Sequence, residues 1–212
     1  MWPPEALEFL RDLEDNNDRA WFKANRARYD AYLVEPARAL AEQLAHLGEP
    51  RLFRPYNDAR FASRPPLKEQ LGMAIGYGGA GGWYVELSLD GLLIGAGLHH
   101  PATDQLERFR AAIDDERRAK AFERALKRTQ RAGMQIIEPE LKRAPRGYRI
   151  DHPRIEHLRR KHLTVFCRHA LEPWLHEPAC TQRIREQLDS TRPYVQWLTE
   201  HVGPSQIARK TR

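Results

Sequence analysis

The sequence predicts an α+β fold, an antiparallel sheet with a central hairpin, flanked by N-terminal and C-terminal helices. Three observations carry that expectation. Apolar residues recur at helical spacing from Leu7 to Leu47. "WYVELSLDGLLIGAGL" alternates Trp83, Val85, Leu87 and Leu89 with Tyr84, Glu86, Ser88 and Asp90, around the favoured hairpin dipeptide Asp90-Gly91. Helical patterns return after Thr103 and again near the C-terminus, with the strand candidate "HLTVFCRHA" between them.

Taken in order, Leu7, Leu10 and Leu13 define a short amphipathic helix over residues 5–14. "DNN" interrupts it, and Asn17 is the expected N-cap of a second helix beginning near Asp18, with Trp21, Phe22, Tyr29, Tyr32 and Leu33 on its apolar side. Pro36 cannot continue that helix unkinked, so the pattern restarts there and runs through Leu40 and Leu44 to a stop at Gly48. From Arg51 a strand-like piece leads into a proline-rich ordered loop. "GYGGAGG" has the look of a phosphate loop. It lacks the closing Lys-Ser/Thr and leads into a strand, so a turn is expected.

A helix from about Thr103 should bury Leu106, Phe109 and Ile113, and residues 116–131 read as a heavily charged, exposed helix. "MQIIEPELKRAPRGYRIDHP" is extended or looped, "RIEHLRRK" a short helix, and Leu163, Val165 and Cys167 share one side of the next strand. Helices over residues 183–188 and 193–201 complete a single domain, 1–204, followed by a basic tail, 205–212, expected to fray.

No window approaches the run of about 18 apolar residues that a membrane span needs. "MWPPEALEFLRDLED" puts acids and prolines where a secretory signal has a basic flank and an apolar stretch, so a cytoplasmic protein is expected. Cys167 and Cys180 stand outside any CxxC pattern, as suits small apolar residues in a reducing compartment. The net charge of +6 is uneven: residues 1–100 carry 11 Lys+Arg against 14 Asp+Glu, and residues 101–212 carry 24 against 15. Leu141 to His162 alone holds eight cations and two acids. That concentration favours phosphates, carboxylates or nucleic acid as partners.

Two segments supply the candidate site. The first gives Arg54, Asp58, Arg60 and Lys68, and the second gives Lys142, Arg143, Arg146, Tyr148, Asp151 and His152. Pro55, Pro65, Pro66, Pro145 and Pro153 stiffen them, leaving little entropy to lose on binding. Arginine forks suit bidentate phosphate or carboxylate recognition, and lysine supplies a point charge. Taken as one pocket, they predict an anionic, phosphate-bearing ligand. If chemistry occurs there, Asp58 and His152 are the acid/base candidates and Arg60, Lys68, Lys142, Arg143 and Arg146 the charge stabilisers, a division suited to phosphoryl or phosphodiester transfer. Asp151 has a second reading as helix N-cap, with Pro153 in the first turn. A divalent site from His99, His152 and an Asp lacks any HExxH or paired motif, and no metal is assigned. The alternatives are a non-catalytic nucleic-acid-binding protein using the same cations, and a partner-binding adaptor.

"FLRDLEDNNDRAWFKANRARYDAYLVEPARALAEQL", "FRPYNDARFASRPPLK", "WYVELSLDGLLIGAGLHHP" and "LKRAPRGYRIDHPRIEHLRRK" resemble, in this order, the segments of the family called domain of unknown function 2461. The resemblance covers nearly the whole chain. Its most specific parts are "YxDxRF" at Tyr56, Asp58, Arg60 and Phe61, and "LKRxPxGYxxDHP" at Leu141 to Pro153. Where the family runs on into a lysine-rich "SKDKxPYK", this chain has "ASRPPLK", one residue shorter, with Leu67 at the tyrosine position and Lys68 keeping the last lysine. The resemblance implies a shared fold and no established activity.

Overall fold

The apolar repeats of the first 47 residues fold as a nearly continuous helical run in the computed structural model, which describes residues 1–58 and 65–207. Helix α1 spans Glu5–Asp15, α2 Arg19–Ala24, α3 Arg26–Tyr29 and α4 Glu35–Gln43. Asp18, not Asn17, caps α2, its carboxylate accepting from the amides of Ala20 and Trp21 at 2.7 and 2.9 Å. The restart expected at Pro36 is present, with Pro36 in the first turn of α4 and a π-helical turn at Asp30–Val34 directly before it. Proline offers no amide and crowds the carbonyl four residues back, and the wider π-turn accommodates both.

Contacts divide the chain into two compact units. The first holds Met1–Gly76, Tyr84–Ile94 and Arg168–Glu186, and the second Tyr77–Trp83, Gly95–Cys167 and Gln187–Arg212. The strands are β1 Pro50–Leu52, β2 Gln70–Ile75, β3 Gly82–Ser88, β4 Gly91–Leu98, β5 Gln135–Ile136 and β6 Leu163–His169. They form one antiparallel sheet in the order β1-β2-β3-β4-β6-β5, with helices on both sides, so the fold is α+β. β1 meets β2 with Arg51 opposite Ala74.

Three details of the sheet differ from the pattern in the sequence. β2 is a strand where only loop and turn were expected. The hairpin turn lies at Leu89 and Asp90, one residue early, because Gly91 already belongs to β4. At φ 125° its α-carbon faces the backbone of His169, where a Cβ would lie 2.1 Å from the carbonyl oxygen. Finally, Glu86 and Ser88, which alternate with the apolar residues in the sequence, are buried along with Val85 and Leu87. The strand is covered on both faces, and alternation no longer separates core from solvent.

In the first unit the core gathers Leu7, Phe9, Leu10, Leu13, Phe22 and Leu33, with the Phe22 and Tyr29 rings 5.1 Å apart. The second unit is built on α5 (Thr103–Asp114), α6 (Glu116–Arg131), α7 (Ile155–Leu158) and α9 (Arg192–His201), while α8 (Ala179–Ser190) belongs partly to each. α6 is not an exposed helix throughout: Ala119, Phe122, Ala125 and Leu126 are buried, and the Phe122 ring lies 5.5 Å from Phe109 and 4.9 Å from Trp197. On α5, Gln105 is buried in place of the expected Leu106. Its amide donates to the carbonyls of Gly79 and Gly203 at 2.7 and 2.8 Å, tying the glycine-rich turn to the end of the chain. Among the described residues no helix is long and apolar enough to cross a membrane.

Ser205 and Gln206, expected to begin a fraying tail, are held by the Asp104 carboxylate, each at 2.8 Å; residues 208–212 lie outside the described residues. The Gln206 amide, with Ser205 and Arg108, holds the Asp104 carboxyl down to about 2. A carboxyl depressed on folding contributes fully above its unfolded value near 4, and the contribution is lost as pH falls through the folded value. The Gln206 amide resonance should therefore titrate with a midpoint near 2. A midpoint near 4 would show that the tail is not held by this carboxylate.

Candidate functional site

The second unit contains the Leu141–Pro153 segment as a braced loop. Its start is fixed to the residue after α7, where the Leu141 amide donates to the Arg159 carbonyl at 3.1 Å and the Arg159 guanidinium returns to the Leu141 carbonyl. Pro145 is buried, and the Tyr148 amide closes a turn onto its carbonyl at 3.1 Å. Asp151 is no helix cap. It takes a two-pronged ion pair from Arg149 at 2.9 and 2.8 Å, while α7 begins four residues later.

His152 sits at the hinge of this loop. Its Nδ1 accepts from the Arg154 amide at 3.0 Å, which leaves Nε2 to donate to Asp114 at 3.1 Å. Both ring nitrogens are thereby engaged. Tyr148 packs edge-on at 6.2 Å, its phenol pKa raised by burial and by Asp114.

Several acids near the loop in sequence or in contact with it are engaged by other groups. Arg154 bridges Glu116 at 2.9 Å and Glu123 at 3.1 Å, and Glu156 pairs with Arg159. Lys120 and Arg154 together hold Glu116 down to about 2. Glu140 accepts from the Lys161 amide at 2.7 Å. Lys142, Arg143 and Arg146, by contrast, are exposed and make no hydrogen bond or ion pair with a described residue.

The first unit holds the other segment as an extension of the β1–β2 hairpin. The Phe53 amide donates to Gly72, and Tyr56 bridges Leu67. Asn17 clamps the returning arm, accepting from the Leu67 amide at 3.0 Å and donating to Glu69 at 2.7 Å, a role its cap-like sequence context concealed. Lys68 donates to the Arg54 carbonyl at 3.0 Å and lies 5.6 Å over the Phe53 ring; burial, then the Arg54 charge, lowers its pKa. Asp58 is half-buried, and Arg60 falls outside the described residues. The two segments thus belong to different units.

Beside the first segment lies a group of polar residues that the sequence analysis did not single out as a site. Glu86, only 8% exposed, accepts from the Tyr84 hydroxyl at 2.6 Å and from Gln70 at 2.5 Å, with Arg168 4.0 Å from its other oxygen. Burial and the Glu86 carboxylate both raise the Tyr84 pKa. Gly72 makes room for this pair, since a Cβ there would lie 2.5 Å from the Tyr84 oxygen.

His99 stacks with His162 at 5.0 Å and lies 4.1 Å from His100, while His152 is engaged with Asp114. Among the described residues no three His, Cys, Asp or Glu side chains are arranged to hold a metal ion. Cys167 is half-buried and Cys180 buried, and no disulfide joins them.

A family model described as a conserved hypothetical protein, DUF2461, matches residues 5–197. No curated protein and no solved structure matches the chain.

Proposed function

The chain belongs to the DUF2461 family of conserved hypothetical proteins, and we propose that it binds a phosphate-bearing ligand on the Leu141–Pro153 loop through Lys142, Arg143 and Arg146. One observation carries this reading: Glu116, Glu123, Asp151 and Glu156 are each engaged by another arginine, while the side chains of these three cations have no partner among the described residues. A solvated face would mix its charges. Here the acids are withdrawn from the cations, and the loop is held by Pro145, Tyr148 and His152, so a bound anion orders little new chain. His152 acts as a positioning residue, fixing the loop to Asp114.

Thermal shift with inorganic phosphate and pyrophosphate, beside an R143E/R146E variant, tests it. Ligand at ten times its Kd stabilises the native protein by about 1.4 kcal/mol, a rise of a few degrees that the variant should lose. Both positions are exposed, so the unliganded stability of the variant should stay within about 0.5 kcal/mol of wild type. No pyrophosphate shift in the wild type would remove the reading. Salt-sensitive binding of labelled oligonucleotides, lost in the same variant, would replace it with nucleic-acid binding by this loop.

A further inference from the structure

Helix α6 carries seven Lys+Arg and two Glu, a mixture that in sequence reads as an ordinary solvated exterior. Folding sorts it. Glu116 and Glu123 are two turns apart on one edge, where Arg154 takes both and Lys120 takes Glu116 as well. With 3.6 residues per turn, Arg117, Arg124, Arg128 and Arg131 fall within about 60° of one another on the side away from Phe122. All four are exposed, and none of their side chains makes a hydrogen bond or ion pair with a described residue.

Against this face α9 forms a groove of about 700 Å³, with Arg117, Arg118, Arg124 and Arg128 on one wall and Glu200 and His201 on the other. Among the described residues Glu200 is the one carboxylate lining it, and His201 lies 3.8 Å away.

We infer that the α6–α9 groove is a second binding surface, separate from the Leu141–Pro153 loop, and that its occupant is the sugar–phosphate backbone of a double-stranded nucleic acid. The shape of the charge selects a long, regular polyanion. Sixteen residues of α6 extend about 24 Å, alongside which a duplex strand advancing about 3.4 Å per phosphate passes about seven phosphates. Single strands are held mainly by bases stacked on exposed aromatic rings. Here the groove's aromatic residue, Trp197, is 5% exposed and its indole N–H donates to the Arg118 carbonyl at 3.0 Å, so it offers no platform. An anionic membrane is disfavoured too, because membrane-surface helices insert an apolar face, and that of α6 is buried around Phe122. Contacts confined to phosphates make the binding indifferent to sequence, with Kd in the range of about 1–100 μM at physiological salt.

The test is fluorescence anisotropy of a labelled random 20-base-pair DNA duplex at two salt concentrations, with the wild type, R124E/R128E and R143E/R146E. The last variant carries the same charge change on the other surface. Wild type should bind with steep salt dependence. R124E/R128E should lose at least tenfold in affinity and about two from the log–log salt slope, while R143E/R146E stays within about threefold of wild type. Equal losses in both variants would mean a response to overall charge, and would overturn the groove. So would an absence of duplex binding at low salt, whether or not the protein then associates with vesicles of anionic lipid. Pyrophosphate stabilisation lost only in R143E/R146E is an independent result, so the loop and the groove stand or fall separately.

Discussion

Replacing Gly97 with alanine should cost at least about 3 kcal/mol and lower the thermal midpoint by roughly 6–12 °C for a chain of this size. Two effects add. Gly97 has φ 111°, a conformation that a side chain makes strained by about 1–3 kcal/mol. An alanine Cβ would also lie 2.1 Å from the Leu163 carbonyl oxygen in β6 and 3.1 Å from the Tyr194 ring of α9. Neither neighbour yields easily, since one is backbone within the sheet and the other a fully buried ring. Gly78 is the control, because a Cβ there would meet nothing within 4 Å. Urea midpoints of Gly97→Ala and Gly78→Ala should differ by nearly the whole effect. Equal midpoints would mean that β4 and β6 can separate without loss, and that the packing described for β4 is not what holds the strand.

Gly97 also shows why parts of this fold were legible in the sequence and others were not. The hairpin was readable from apolar periodicity and a turn dipeptide, both of which are local. The reason for its glycines was not, because the obstructing atoms come from residues some 66 and 97 positions away. The residues of the Leu141–Pro153 segment were marked correctly as an ordered loop by their proline spacing. Their chemistry was obscured for the same reason as the glycines: His152 meets Asp114 across 38 residues, and Arg154 meets Glu116 across the same span, so nothing nearby reveals that these groups are already engaged. Glu116 and Glu123 do stand seven apart, a spacing that places both on one helical edge. Only the position of Arg154 turns that spacing into a segregated cationic face. Strand β2 was hidden differently. Gly72 interrupts its apolar run, and it is needed there by the Tyr84 hydroxyl of β3.

The same tertiary origin governs Glu86, and here the expected result separates two kinds of substitution. Glu86→Ala should destabilise the protein by about 3–5 kcal/mol, because it leaves Arg168 without its nearby carboxylate and strips the acceptor from the Tyr84 hydroxyl and the Gln70 amide. Arg168 is partly exposed and will recover some hydration, which places the effect toward the lower end. Glu86→Gln keeps an acceptor oxygen and loses the charge, so it should cost less. If Glu86 matters chiefly because its partners are already buried, removing them together should undo the damage. The triple substitution Tyr84→Phe, Gln70→Leu and Glu86→Leu replaces donors and acceptor with apolar groups, and should recover much of what Glu86→Ala loses. Chemical denaturation of the four proteins decides the matter. A triple variant no more stable than Glu86→Ala would contradict a purely structural role for the carboxylate, since burial without partners would then not be the source of the cost. Recovery would make Glu86 the acceptor that lets two polar side chains lie inside the sheet of the first unit, beside the Arg54 and Lys68 loop that it helps to shape through Tyr84 and Phe53.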